Sequence, residues 1–298
     1  MKALQAAVLV CVVLFFSSLV NAQEALRAQV ASIAKQAEGK VSAACGLAGT
    51  PINCDLNSDS HPPMQSVFKF PVVLTALHQI ERGKLTLDQK ARFLASDRIP
   101  GTHSTLQEKY PQGDVDVPLQ DLMQRTIADS DNVAVDILLR TVGGPPAVND
   151  YIASLGVEGF HCDGGEKELG SDPREQYRSY FAPSGAVALL LRVANNSPLN
   201  AEHTALLFGW MEHLANGDTR IPGALPAGTV VAHKTGSSGT RDGVTAATND
   251  IGLITLPDGR KLAVAVFVTD ARADSATRDK VIAQIAAAAY AAAIITAK

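Results

Sequence analysis

Apolar positions divide the chain into a helical start, a long helical middle and a strand-rich end. Gln23 to Glu38 carries Leu26, Val30, Ile33 and Ala37 at helical spacing, and Gly39 stops it. Val41 to Leu47 and Ile52 to Leu56 predict two short strands around the turn Ala48-Gly49-Thr50-Pro51. A polar segment, Asn57 to Pro63, leads into an apolar helix that begins near Ser66, runs from Val67 to Ile80 and ends at Gly83. Further helices are expected over Leu119 to Leu139, before Gly143-Gly144, and over Ser184 to Ala194. Long loops rich in Pro, Gly and Asp separate them at Pro100 to Pro118 and His161 to Tyr180, and loops of that length in compact domains often carry function. After Pro226 the period changes: Thr229 to His233, Asp250 to Leu256 and Lys261 to Thr269 read as strands, with Pro257-Asp258-Gly259 as a hairpin turn. An alanine-rich helix over Ala276 to Ile295 closes the chain.

These elements predict an α+β fold. Both ends of the chain (residues 23–62 and 216–298) build one α/β lobe, whose sheet is antiparallel because tight turns join its strands. Residues 63–215 form an all-α lobe inserted between them, and the whole of 23–298 counts as a single domain. No internal repeat or low-complexity linker interrupts it.

Composition narrows the class. At 298 residues with 46% hydrophobic and 19% charged side chains, the chain suits a globular protein rather than a disordered or polytopic one. A net charge of −4 gives no basic footprint for nucleic acid. The start reads as an export signal: Lys2, an apolar run from Ala6 to Phe16, and Val20-Asn21-Ala22 before a cleavage point at Gln23. Residues 1–22 are therefore expected to be removed, leaving a periplasmic protein with no membrane anchor. Cys11 lies inside the apolar run and follows Val10, which argues against lipid attachment. Of the remaining Cys45, Cys54 and Cys162, counting outward from the turn sets Cys45 opposite Cys54. That pair is the preferred disulfide, with three buried free thiols as the alternative.

Chemistry enters through short motifs. Ser66-Val-Phe-Lys69 puts a hydroxyl and an amine on one helix face, one turn apart, where the amine can take the proton that makes Ser66 nucleophilic. Ser32-Ile-Ala-Lys35 has the same spacing but lies on a polar-faced helix, so spacing alone is weak. Ser130-Asp131-Asn132 offers a hydroxyl to relay a proton and an amide to hold a carbonyl; its plainer reading is a helix N-cap. Lys234-Thr235-Gly236 follows an edge strand. There Lys234, Thr235 and Ser237 would attract a carboxylate, and Gly236 would let a ligand approach the backbone. The backbone N–H groups of Ser66 and Ser237 would form an oxyanion hole.

Set in this order, the motifs resemble those of class A serine β-lactamases, and the resemblance spans the mature chain. It implies the serine β-lactamase/penicillin-binding-protein fold and a small β-lactam substrate. It also implies a monomer without cofactor. Ser66 resembles the acylated nucleophile, Lys69 its neighbouring base, and Ser130 the relay to the β-lactam nitrogen. Asn132, Lys234, Thr235, Gly236 and Ser237 resemble the substrate-binding set. Glu166, in Glu166-Lys-Glu-Leu169, resembles the omega-loop glutamate that activates water for deacylation.

Several positions depart from the family pattern. Gly170 stands where Asn is usual as a second ligand for that water, and Gly164 and Ser179 stand where many members brace the loop with an Arg–Asp pair. No arginine follows Gly243, and Arg220 resembles the alternative carboxylate anchor. His103, in Ile99-Pro-Gly-Thr-His103, is a candidate wall at the site entrance. The departures resemble the extended-spectrum branch, which implies turnover of oxyimino-cephalosporins. Two rivals share the kit: a penicillin-binding DD-peptidase and a β-lactam-sensing domain that is acylated without turnover. A metal-dependent hydrolase is disfavoured, because the seven histidines show neither His-x-His-x-Asp nor His-Glu-x-x-His spacing.

Overall fold

The computed structural model describes residues 22–170, 172 and 174–295. The expected export signal, apart from Ala22, lies outside these residues. Residues 22–34 form α1, extended by a 3-10 turn at Lys35–Ala37. Leu26, Val30 and Ala37 on its inner face are buried, while the decoy pair Ser32 and Lys35 faces outward.

A five-stranded antiparallel sheet organises the molecule. Its strands are β1 (Lys40–Leu47), β6 (Val231–Ser237), β7 (Thr240–Arg241), β8 (Val244–Thr255) and β9 (Lys261–Ala271). The order is β1-β9-β8-β6, with β7 also paired to β8. On one face lie α1 and α10 (Ser275–Ile295), in a core with Val264, Val266 and Val268 of β9. On the other face, Ala263, Ala265 and Phe267 of the same strand join the helical core. Period-two alternation thus sends one strand's side chains into two cores.

The predicted second strand over Ile52 to Leu56 is reduced to one bridge, Ala43 opposite Leu56. Asn53 and Pro51 disfavour a longer ladder. The register still holds, and Cys45 and Cys54 form a disulfide with Cα atoms 5.7 Å apart, leaving Cys162 as a buried free thiol.

The helical part holds α2 (Lys69–Glu81), α3 (Thr105–Lys109), α4 (Leu119–Gln124), α5 (Asn132–Val142), α6 (Gly144–Ser154), α8 (Pro183–Asn195) and α9 (Ala201–Met211). Two small two-stranded antiparallel sheets accompany them: β2 (Lys90–Phe93) with β3 (Val115–Pro118), and β4 (Phe160–His161) with β5 (Tyr180–Phe181). The expected single helix over Leu119 to Leu139 is interrupted. After α4 the chain widens into a π-helical turn, Arg125–Asp129, and Ser130 takes a left-handed φ of 56° before α5 begins. Turns of this kind inside helices frequently mark functional positions.

Candidate active site

Ser66 lies in a 3-10 turn, Gln65–Phe68, that runs directly into α2 at Lys69. Phe68 and Phe70 are buried and anchor this turn in the helical core. Strand β6 closes over it from the sheet side. A Cβ built on Gly236 would stand 2.5 Å from the Met64 carbonyl oxygen. The bare face of Gly236 is therefore filled by the protein's own backbone, not kept open for a ligand as the sequence suggested.

Lys69 is fully buried, and oxygen atoms surround its amine. Nζ donates to Ser66 Oγ at 2.9 Å, to the Ser130 carbonyl at 2.7 Å, to Ser130 Oγ at 3.3 Å and to Asn132 Oδ1. It also pairs with Glu166 Oε1 at 3.1 Å. Ser66 Oγ itself lies 3.4 Å from Glu166 Oε1. The Lys69 nitrogen and the Glu166 carboxylate thus flank one hydroxyl.

Ser130 Oγ is shared from the other side by Lys234 Nζ, at 3.0 Å. Lys234 is also fully buried and donates to its neighbour's carbonyl, Thr235 O, at 3.0 Å. Burial, followed by the charge of Lys69, holds the Lys234 amine well below its usual lysine range, against the opposing pull of Asp250 and Glu166. The break at Ser130 explains how two lysines reach one hydroxyl: the left-handed residue turns its side chain off the helix axis.

Asp131 is the N-cap of α5, accepting from Ala134 N at 2.8 Å. Its buried carboxylate also accepts from Ser104 Oγ and from Leu106 N, each at 2.7 Å. Cap and site therefore coexist in one tripeptide. Asn132 donates to Thr102 Oγ1 at 2.7 Å while its Oδ1 faces Lys69. His103 supports the same turn through its backbone, which accepts from Asn132 N at 3.1 Å. Its exposed ring meets the Asp129 carbonyl at 2.7 Å.

At the sheet edge, Arg220 donates to Ser237 Oγ at 2.7 Å and to the carbonyls of Gly236 and Asn249 at 3.2 and 2.8 Å. Asp279 orients its Nε at 2.9 Å. Thr235 Oγ1 donates to Asn216 Oδ1 at 3.0 Å. A cationic fork thus stands beside the two hydroxyls predicted to meet a carboxylate.

Glu166 begins α7 (Glu166–Leu169), within the 161–180 loop. Sequence reasoning missed the residue that holds it. Asp136 on α5 accepts from Glu166 N at 2.7 Å and from Lys167 N at 2.9 Å, one oxygen for each. A lone Asp in the apolar run of α5, one turn after Asn132, was the available signal. Burial raises this carboxyl to about 6, against the lowering effect of the two N–H donors. Gly165 leaves room for it, since a Cβ there would meet Asp136 Oδ1 at 2.4 Å. Gly164 and Ser179 make no ion pair; Ser179 Oγ instead accepts from Asp163 N at 3.0 Å. A cavity of about 760 Å³ opens between the loop and the β6–β7 turn, lined by Glu166, Gly170, Tyr177, Ser237, Ser238 and Arg241 among others.

The family described as "Beta-lactamase enzyme family" matches residues 25–293 of the chain. The extended-spectrum β-lactamase PER-1 of Pseudomonas aeruginosa is 43% identical over 228 residues, which is 76% of this chain and 74% of that protein. A crystal structure of a β-lactamase from Chitinophaga pinensis superposes with a TM-score of 0.86 at 40% identity, covering 90% of this chain and 99% of that one. A representative class A β-lactamase from Bacteroides cellulosilyticus does so with a TM-score of 0.84 at 30% identity, covering 93% and 99%. Matched along nearly its whole described length, and with Ser66, Lys69, Ser130, Glu166 and Lys234 converging on one point, the chain belongs to the β-lactamase enzyme family, in its class A serine branch.

Proposed function

We propose that the protein hydrolyses the β-lactam amide bond through an acyl-enzyme on Ser66. The observation that carries this reading is the position of Glu166 Oε1, 3.4 Å from Ser66 Oγ and 3.1 Å from Lys69 Nζ. A site that only accepts an acyl group has no need of a carboxylate there. In acylation Ser66 Oγ attacks the lactam carbonyl and gives its proton to Lys69 or Glu166, both within reach. The backbone N–H groups of Ser66 and Ser237 receive the developing oxyanion. The C–N bond then breaks, and Ser130 Oγ passes a proton to the leaving nitrogen, resupplied through the lysine on either side. In deacylation Glu166 takes a proton from water, the hydroxide attacks the ester, and the proton returns to Ser66 Oγ as it leaves.

Lys234, Thr235, Ser237 and Arg220 bind the substrate carboxylate, and Asn132 holds the acyl-side-chain amide. His103 shapes the entrance through the turn it supports. Oxyimino-cephalosporins are among the substrates: the 760 Å³ cavity beside Glu166 offers room for a bulky acyl substituent, and a relative carries the extended-spectrum name. The mature protein is a periplasmic monomer released by cleavage after Ala22, acting without cofactor. Among the described residues no helix is long and apolar enough to cross a membrane. Residues 23–62 and 216–298 make one lobe and 63–215 the other, a division that the two hydrophobic cores support.

The test is steady-state hydrolysis of a chromogenic β-lactam with intact-protein mass spectrometry. Wild type is expected to turn over, and Glu166→Ala to accumulate a covalent adduct on Ser66. Equal turnover in both removes Glu166 from the mechanism. Hydrolysis of a penicillin and an oxyimino-cephalosporin is then compared; no cephalosporin turnover rejects the extended spectrum.

A further inference from the structure

The loop that carries Glu166 is closed at its neck by very little backbone pairing. The ladder pairs are Phe160 opposite Phe181 and His161 opposite Tyr180, as β4 and β5, and Ala182 N donates to the Gly159 carbonyl at 2.7 Å at their outer end. Continued along the same register, the next positions are Cys162 opposite Ser179 and Asp163 opposite Arg178. Side chains take over there. Asp163 N donates to Ser179 Oγ at 3.0 Å. The Arg178 guanidinium grips both oxygens of Asp163, with Nε at 2.9 Å from Oδ2 and Nη2 at 3.1 Å from Oδ1. Its remaining nitrogen holds Glu175 Oε2 at 2.7 Å. His161 Nε2 stands 3.8 Å from Asp163 Oδ1 on the same side.

We propose that Asp163 and Arg178 are positioning residues for the β-lactamase reaction, extending the β4–β5 ladder through a two-pronged ion pair so that Glu166 meets the acyl-enzyme. The proposal rests on Glu166 being the deacylating base. Two glycines, Gly164 and Gly165, separate Asp163 from Glu166 and supply no side-chain packing of their own. The far side of Glu166 is held by Asp136 and by Lys167 Nζ, which donates to the Ser96 carbonyl at 2.7 Å. Neither restrains the returning arm of the loop. That arm reaches the site through Gln176, whose Oε1 accepts from Gln65 Nε2 at 2.7 Å beside Ser66. The ion pair ties the two arms together between these fixed points. The Arg–Asp brace that many family members place at positions 164 and 179 is therefore replaced one residue earlier in the chain on each arm, with the charges exchanged between the arms.

Arg178 is 58% exposed and Asp163 27% exposed, so both can be changed without opening a core. The experiment measures acylation in the pre-steady-state burst and deacylation from decay of the Ser66 adduct. The proteins are wild type, Asp163→Asn, Arg178→Gln, the double variant, Arg178→Lys and Glu166→Ala. Each single substitution is expected to slow deacylation about fivefold with acylation unchanged. The double variant should be no slower than the singles, and Arg178→Lys, which keeps the charge but not the fork, should recover only part of the rate. Wild-type deacylation in Asp163→Asn, equal loss in both steps, or losses that multiply in the double variant would each overturn the proposal. Absence of a trapped adduct in Glu166→Ala would instead remove the catalytic reading beneath it.

Discussion

Buried charge at single residues makes the clearest demands. Lys234 is held below the usual lysine range, so it loses its proton at a lower pH than an exposed lysine would. In the proposed function its cation attracts the substrate carboxylate, so KM is expected to rise on the alkaline side while kcat changes less. Lys234→Arg should remove that limb, and pH profiles of both parameters would decide it. Asp136 has the opposite linkage. Its folded carboxyl, near 6, keeps a proton that the unfolded chain releases near 3.8. Stability should therefore fall as pH rises through that interval, by about 3 kcal/mol if the carboxyl titrates independently. Thermal midpoints of wild type and Asp136→Asn between pH 4 and 8 test this, and the slope should flatten in the variant. An amide can accept only one of the two N–H bonds, so the same variant should deacylate more slowly. Ser66, Lys69, Ser130 and Lys234 were legible because motif order fixes them. Asp136 was not, because a single acid on an apolar helix gains meaning only when the loop opposite comes to rest on it.

At the scale of elements, apolar period told helix from strand but not where a helix breaks. The run from Leu119 to Leu139 keeps its apolar face across Ser130, and α4 and α5 both contribute to one core. What divides them is polar: Asp131 satisfies donors at Ser104, Leu106 and Ala134 that a continuous helix would have left elsewhere. The β2–β3 pair escaped notice because its strands are four residues each and lie far apart in sequence. The β8–β9 hairpin was legible from Pro257-Asp258-Gly259. The Cys45–Cys54 link closes a short loop on the sheet face remote from Ser66, with a sequence separation of 9. Replacing both cysteines by serine is expected to lower stability by about 2–3 kcal/mol with kcat unchanged. Chemical denaturation together with turnover would check both halves of that statement.

The whole molecule depends on a sheet that serves two cores at once. Phe267 belongs to the helical core, while Val266 and Val268 beside it belong to the core beneath α10. Phe267→Ala should therefore cost about 3–5 kcal/mol in one cooperative transition. Two resolved transitions would mean that the cores unfold separately. The proposed catalytic groups straddle this arrangement: Lys234 is on the sheet, Ser66 and Lys69 head a helix, and Glu166 is on a loop. Activity is expected to disappear with the single transition rather than before it.

Strand β1 finds its ladder partner in β9, Lys40 opposite Thr269 and Leu47 opposite Leu262. In time rather than space, this means an early strand must wait for one of the last segments made. Until β9 emerges, β1 has no ladder partner and nothing joins it to β8. A growing chain would thus remain unlocked for most of its synthesis, the condition in which a polypeptide can be threaded through a membrane before it folds.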